Sequence, residues 1–346
     1  MALTPYPLGG PSSRYRVYAF QEPLKVNGVQ LDIQPFLTPQ AFSLRMNGLP
    51  NHPLVLADIA AAALRRIRQA QTSRRRYDLL YIHRQTAPSQ HAYFDKLFLQ
   101  TGLPIVFDMD DAVFSQYSIT SLLQGSVAAT VGNRHLAEYV GLSAPSTTVT
   151  IIPTVVDTRY YTVRPALKPK ARPVVGWIGT GSTFRRYLLP VLPGLVRVCR
   201  EAGAEFRVIA STDVRQQTVM AGAAYVPWSL LTEVQELQSF DIGVMPLSDD
   251  EFVRGKCAFK LIQYGAVGIP SVGTDIGANG DVIRHGVTGY LAPDAQNFEQ
   301  RLAALLSSDD LGRSMGLAAR RLIEEQFSLH SQTGRMAQVL HEAAGR

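Results

Sequence analysis

The chain has 346 residues, more than one ordinary core organises, and its hydrophobic content of 46% with 18% charged residues excludes a disordered chain. No apolar run is long enough to cross a bilayer, and the opening MALTPYPLGGPSS lacks the basic-then-apolar pattern of a secretory leader. Two distant cysteines, Cys199 and Cys257, exclude a disulfide framework and a cysteine zinc site, which fits a cytoplasmic location, and the net charge of +6 points to an anionic partner.

In chain order, ALTPYP reads as the end of a first strand that either is short or starts upstream, followed by the turn Gly9-Gly10 and by Arg14 and Arg16. VQLDIQPFL is strand-like, and HPLVLADIAAAALRRIRQ (52–69) is helical. Around the end of that helix crowd Arg65, Arg66, Arg68, Arg74, Arg75 and Arg76. They form either a solvated face whose cations suit a helix C-terminus or a patch for anionic lipid at the inner face of the cell membrane. The cluster lacks interleaved aromatic residues, so nucleic acid is not an expected partner. DLLYIHR is a strand ending in His83 and Arg84; HAYFDKLFLQTG (91–102) is helical; LPIVFDMD is a strand followed by Asp110 and Asp111; VTIIPTV is a further strand. Proline and basic residues then mark a linker over 164–173.

Beyond it, strand-like and helical stretches alternate. VVGWIG (174–179), EFRVIAST (205–212), DIGVMPL (241–247), PSVGTD (270–275) and TGYLAP (288–293) read as strands. YLLPVLPGLVRVCREAG (187–203), VQELQSF (234–240) and KLIQYGAVG (260–268) read as helices. Alternation of these lengths predicts an α/β fold of two doubly wound parallel-sheet domains, 1–163 and 174–329, with a C-terminal helix (330–346) able to pack back on the first. Ligand crevices in such domains lie at the C-terminal ends of the strands.

Two loops at those ends carry chemistry. In the first, Gly179, Thr180, Gly181, Ser182 and Thr183 form a small-residue turn before a helix that starts with Arg185 and Arg186, a pattern suited to phosphate. In the second, Arg254, Lys256 and Lys260 stand before and inside a helix start. The helix dipole disfavours cations there, and such a conflict points to an anionic ligand. Gln263 lies three positions after Lys260 on the same face, so the pair can hold a phosphate and a sugar hydroxyl together.

These loops, with FKLIQYGAVGIPSVGTDIGANGDVIRHGVTGYLAP (259–293), resemble the C-terminal domain of family 4 glycosyltransferases. The N-terminal segments PSSRYRVYAF, IVFDMDDAVF, AATVGNRHLAEYV and IIPTVVDTRYY resemble a bacterial subgroup. The resemblance implies the GT-B fold, two Rossmann-like domains facing across a cleft, and transfer of a sugar with retention from a nucleotide diphosphate to an unidentified acceptor. It implies that Arg185 or Arg186 and Lys260 bind the donor diphosphate, with Lys256 adjacent, and that Gln263 takes the place of the second glutamate of an E-x7-E motif, which holds the donor ribose. The first glutamate falls at Gly255 and is absent. On the acceptor side stand Gly10, Arg14, Arg16, His83, Arg84, Asp110 and Asp111, with Asp110 where many members carry a histidine over the reacting sugar. Asp108-Met109-Asp110 spells D-x-D, yet neither a metal nor another cofactor is expected: acids after a strand serve as loop and cap residues. Alone, His83 also reads as a satisfied structural histidine and Cys257 as a packed thiol.

Two other functions share part of this pattern. VGWIGTGS resembles the start of a nicotinamide-dinucleotide fingerprint, but Phe184 stands where a glycine is needed. The missing carboxylate at 255 leaves room for a non-catalytic sugar-nucleotide or polysaccharide-binding relative.

Overall fold

The computed structural model describes residues 1–46, 48–88, 93–163 and 172–345. Most of the expected linker, 164–171, and the start of the helix expected from 91 lie outside the described residues. The chain forms two compact units. Unit 1 comprises Met1–Val155, the tripeptide Gly255–Cys257 and the C-terminal segment from Leu329; unit 2 comprises Val156–Arg254 and Ala258–Ser328. The division therefore falls at 155/156 rather than 163/164, and Lys256 lies in unit 1.

Unit 1 is built on β1 (Ala2–Thr4), β2 (Ile33–Pro35), β3 (Leu80–His83), β4 (Ile105–Met109), β5 (Ala128–Val131) and β6 (Thr148–Ile151). They pair in parallel in the order β2-β1-β3-β4-β5-β6. β1 has three residues, all buried, and is hydrogen-bonded on both sides, so length is not what stabilises it. The helix Leu329–Ala343 sets Leu329, Met336 and Leu340 in a core with Phe20, Leu24, Tyr81 and Val106.

Unit 2 repeats the plan with β7 (Val174–Ile178), β8 (Glu205–Ala210), β9 (Ala224–Pro227), β10 (Ile242–Met245), β11 (Ser271–Thr274) and β12 (Gly289–Ala292). Their order is β12-β11-β10-β7-β8-β9, again parallel. Trp177, Phe184, Leu188, Leu192 and Val208 pack in one core, so Phe184 fills the interior where a dinucleotide turn would need glycine. The helical stretch read over 187–203 begins as a π-type turn at Phe184–Leu188 and becomes a regular helix only over Leu192–Glu201. Pro190 and Pro193 explain the break, because neither offers an N–H and proline is tolerated only in a first turn.

Strand order decides where ligands can approach. From β7 the chain builds outward to β8 and β9, then returns to β10 on the other side of β7. The loops after β7 and β10 thus leave adjacent strands in opposite directions, the switch point at which doubly wound sheets open a crevice. They are the two cationic loops of the sequence. In unit 1 the equivalent point lies between β1 and β3, followed by Gly10 and by Arg84 respectively.

Some packing tolerances are tight. The helix Asp309–Leu322 passes so close to the turn at Gly268 that a Cβ on Gly316 would run into the Gly268 carbonyl oxygen and stand 3.2 Å from the Ile269 Cα. Backbone cannot yield as a side chain does. Gly316→Ala, normally favourable in a helix by about 1 kcal/mol, is expected instead to cost about 1–3 kcal/mol in urea denaturation; a stabilised variant would contradict the packing described.

Candidate functional site

In unit 2 the loop after β7 is shaped by what glycine omits. A Cβ on Gly179 would stand 2.5 Å from Trp177 Cη2 and 2.9 Å from Lys260 Cε. Without it, the Lys260 Nζ rests 5.3 Å from the centroid of the buried Trp177 ring, a cation–π distance. Gly179, Trp177 and Lys260 thus bring together the loop after β7 and the helix Phe259–Ala266, which follows β10. That helix starts from Ala258, whose φ of 51° is in the left-handed region for a residue with a side chain. Such strain is retained where the surroundings fix it, and it clusters at functional sites. Thr180 caps the turn, its Oγ1 accepting from Thr183 N at 3.4 Å and lying 3.0 Å from Ser182 Oγ. Gly181 sits against the Asp213 carboxylate.

Both arginines of the first loop already hold acids. Arg185 Nη2 donates to Asp213 Oδ2 at 2.8 Å and Arg186 Nη2 to Asp250 Oδ2 at 2.9 Å, with both guanidinium groups about half exposed. Gln263 departs further from expectation. It is buried, and its Nε2 donates to Tyr161 Oη and to Glu233 Oε1, each at 3.2 Å. The amide nitrogen of the expected Lys260–Gln263 pair therefore turns into the protein, and only the Gln263 carbonyl oxygen is without a partner among the described residues. Tyr161 Oη donates to Glu233 Oε1 at 2.5 Å and Trp228 Nε1 to Glu233 Oε2 at 2.6 Å.

In unit 1 the strand ends carry a buried charge cluster. Asp108, at the end of β4, accepts from Arg16 Nη2 at 2.5 Å, Arg16 Nε at 3.2 Å, Thr130 Oγ1 at 2.6 Å and His83 Nδ1 at 2.7 Å. Arg16 Nη1 donates to the Ile152 carbonyl at 2.5 Å. Burial opposes the charge of Asp108, but Arg16 and His83 outweigh it and hold the carboxyl well below the usual carboxylate range. Arg16 and His83 are fully buried, which corrects their expected acceptor-side positions: Arg16 neutralises Asp108, and His83 bonds the same carboxylate through Nδ1 while its Nε2 has no hydrogen-bond partner among the described residues, so it is not the satisfied histidine of the alternative reading. Both oxygens of Asp108 are thus engaged by these donors.

Arg84, with a left-handed φ of 64°, reaches back to Asp110 at 2.7 Å and also pairs with Asp111. These three candidates therefore form one group. Arg14 is half-buried, donating to Tyr15 Oη at 2.9 Å, and Gly10 closes a turn onto the Pro7 carbonyl at 2.8 Å.

The tripeptide Gly255–Cys257 is held by Asn133, whose Nδ2 donates to the Gly255 and Lys256 carbonyls at 3.0 Å. A Cβ on Gly255 would stand 2.5 Å from Ala112 Cβ and 2.7 Å from its backbone N, so the position that resemblance would give a glutamate is enclosed. Cys257 Sγ donates to the Asp110 carbonyl at 2.7 Å; burial, then the charge of Asp110, push its thiol far above the ordinary range, so it packs rather than reacts. Of the arginine cluster, Arg66 is corrected as well: it is buried and donates to the Thr86, Thr4 and Gln34 carbonyls. Arg65, Arg68, Arg74, Arg75 and Arg76 remain exposed. A hollow of about 390 Å³ lies at the other end of the first sheet, lined by Met1, Asp32, Arg76, Tyr77, Asp78 and His341.

Sequence reasoning missed Asp108, Glu233, Asp213 and Asp250 as partners. The available signal was local charge balance: strand-end arginines in excess of any ligand's needs call for acids nearby.

Two doubly wound six-stranded parallel sheets in one chain are the architecture of GT-B glycosyltransferases. Residues 172–308 match the family described as Glycosyl transferases group 1. N-acetyl-alpha-D-glucosaminyl L-malate synthase of Bacillus anthracis is 39% identical over 69 residues, which is 19% of this chain and 18% of that protein. The chain thus matches less than a fifth of the length of this curated relative. A glycosyltransferase from Rickettsia africae superposes with a TM-score of 0.71 at 14% identity, covering 99% of this chain and 97% of that one. Anabaena HepE, solved with UDP and glucose, gives 0.71 at 14% identity over 99% and 98%. At such identities these likenesses define the fold.

The Asp108 cluster makes a signed prediction. Folding holds this carboxyl ionised, so its contribution is complete above the unfolded carboxylate pKa of about 4 and fades as pH falls through the lowered folded value. Asp108→Asn leaves Arg16 charged and unpaired in the interior and should cost about 3–5 kcal/mol at pH 7 in urea denaturation. The deficit should shrink as acid removes the same charge from the parent protein.

Proposed function

We propose that the chain is a retaining glycosyltransferase that moves a sugar from a nucleotide diphosphate-sugar to an acceptor hydroxyl. The family match over unit 2 and the GT-B architecture support the class. The observation that carries the donor site is the meeting of Gly179, Trp177 and Lys260 at the switch point of that unit. In this reading the Lys260 ammonium and the guanidinium groups of Arg185 and Arg186 neutralise charge on the diphosphate as the bond from the sugar's C1 breaks and a bond to the acceptor oxygen forms. Catalysis is then chiefly electrostatic. The small-residue turn from Gly179 to Thr183 approaches the phosphates, and Arg84, Asp110 and Asp111 serve the acceptor side.

A second reading, a sugar-nucleotide-binding relative without turnover, is favoured by the enclosure of Gly255, which leaves no space for a carboxylate there. The two separate in one experiment. A thermal-shift screen against UDP, GDP, ADP and their sugars should find one that stabilises the protein by about 2.7 kcal/mol at a hundred times its Kd. Incubation with that nucleotide sugar should then release free nucleotide. Lys260→Ala is expected to lower turnover by about 10²-fold or more. Full activity in that variant would remove the assignment, and binding without release would favour the second reading.

We also infer peripheral attachment to an anionic membrane through unit 1. Between residues 39 and 76 the sequence has seven arginines and one acid, Asp58. Arg66 of these is buried, and the same segment also exposes large apolar side chains: Met46 is 63% exposed, Leu56 53% and Leu64 70%. Apolar and cationic groups together suit the headgroup boundary of a bilayer. Co-flotation with phosphatidylglycerol-containing vesicles is expected, falling in high salt and in a Leu56→Asp, Leu64→Asp variant; equal binding to neutral vesicles would refute the charge argument.

A further inference from the structure

We infer that Glu233 is a positioning residue that fixes which side of the Gln263 amide is offered to a ligand, so that Gln263 presents its carbonyl oxygen to a hydroxyl group of the nucleotide sugar. This rests on the donor site proposed above and adds a residue and a direction to it.

Glu233 is 3% exposed and receives a phenol from Tyr161 and an amide N–H from Gln263 on Oε1, and the indole N–H of Trp228 on Oε2. An indole N–H can only donate, so Trp228 holds one carboxylate oxygen in place. The Tyr161 proton points at the other, which leaves the phenol oxygen to accept from Gln263 Nε2 at 3.2 Å. Both bonds of the Gln263 side chain are thus made by its nitrogen. Turning the amide over would set its carbonyl oxygen against a carboxylate oxygen and a phenol oxygen that has already committed its proton, in a buried site where such contacts are costly. The orientation of the amide is therefore fixed by chemistry. Among the described residues nothing takes the carbonyl oxygen, which lies across the amide from Glu233 and one helical step from Lys260. A carbonyl oxygen can only accept, so it selects a hydroxyl.

The same geometry explains why position 263 is glutamine. A glutamate there would place a second carboxylate about 3 Å from Glu233 inside the protein, where two like charges cannot both ionise without cost. Restoring the residue that resemblance would supply should thus harm this protein.

Four proteins test this: the parent, Gln263→Glu, Glu233→Gln, and the exchange that carries both substitutions. Each is melted at pH 7.5 and pH 5.5, alone and with UDP, GDP or ADP. Gln263→Glu should melt several degrees lower than the parent at pH 7.5 and recover at pH 5.5. Two carboxylates this close repel, so stability lost at neutral pH returns where the pair shares one proton. Its affinity for whichever of these nucleotides binds the parent should fall at least tenfold. Glu233→Gln, which lets the amide turn over, should keep its melting temperature within a few degrees yet bind several-fold more weakly. The exchange should regain both melting temperature and affinity relative to Gln263→Glu. An unaltered or improved Gln263→Glu protein, or an exchange no better than that single variant, overturns the inference. If the parent binds none of the nucleotides, the donor-site reading fails instead, and the melting temperatures at two pH values still decide the Glu233–Gln263 arrangement.

Discussion

A parallel sheet delivers the carboxyl ends of all its strands to the same edge, and that constraint governs where polar groups can meet in this chain. The ends of β3, β4 and β5 bring His83, Asp108 and Thr130 side by side because those strands pair in register, His83 opposite Asp108 and Asp108 opposite Thr130. In unit 2 the same edge holds the loop after β7 and the helix after β10, because β10 pairs directly with β7. Sequence distance has no part in it: Gly179 and Lys260 are neighbours because the strands before them are.

This is also why the fold was legible in the residues and the site only partly so. Apolar runs such as VVGWIG and IVFDM announce strands buried on both faces, and these are β7 and β4. Helix limits read less well where proline intervenes, as at Pro190 and Pro193, since periodicity continues through a break in hydrogen bonding. The small-residue turn at 179–183 was visible because glycine and hydroxyl residues state their own purpose. Arg16 was misread because its partner Asp108 lies 92 positions away, and no local feature separates a cation that binds a ligand from one that neutralises a buried acid. Arg66 was misread for the converse reason: it lies in a run of exposed arginines, and only the helix's packing turns it towards three carbonyls. Glu233 gave no signal, because its meaning depends on Trp228, Tyr161 and Gln263 arriving from three separate segments.

The arginines of the chain divide by what it costs them to change partner. Arg16 and Asp108 are wholly buried, so parting them would strand a charge in the interior at a cost of several kcal/mol. Arg185 with Asp213 and Arg186 with Asp250 are about half exposed or, for Asp250, a quarter, and exposed pairs of this kind are worth about 1 kcal/mol or less. A phosphate offers an arginine shorter, charge-assisted and often paired hydrogen bonds. In the proposed donor site, exchange of an aspartate for a diphosphate would therefore be cheap at 185 and 186, whereas it would be prohibitive at 16. The two aspartates keep the loop's cations separated and ordered. Lys260 needs a different device, because an ammonium on four methylenes has no planar fork to hold it; the Trp177 ring, with Gly179 leaving space above it, supplies the surface on which that charge rests.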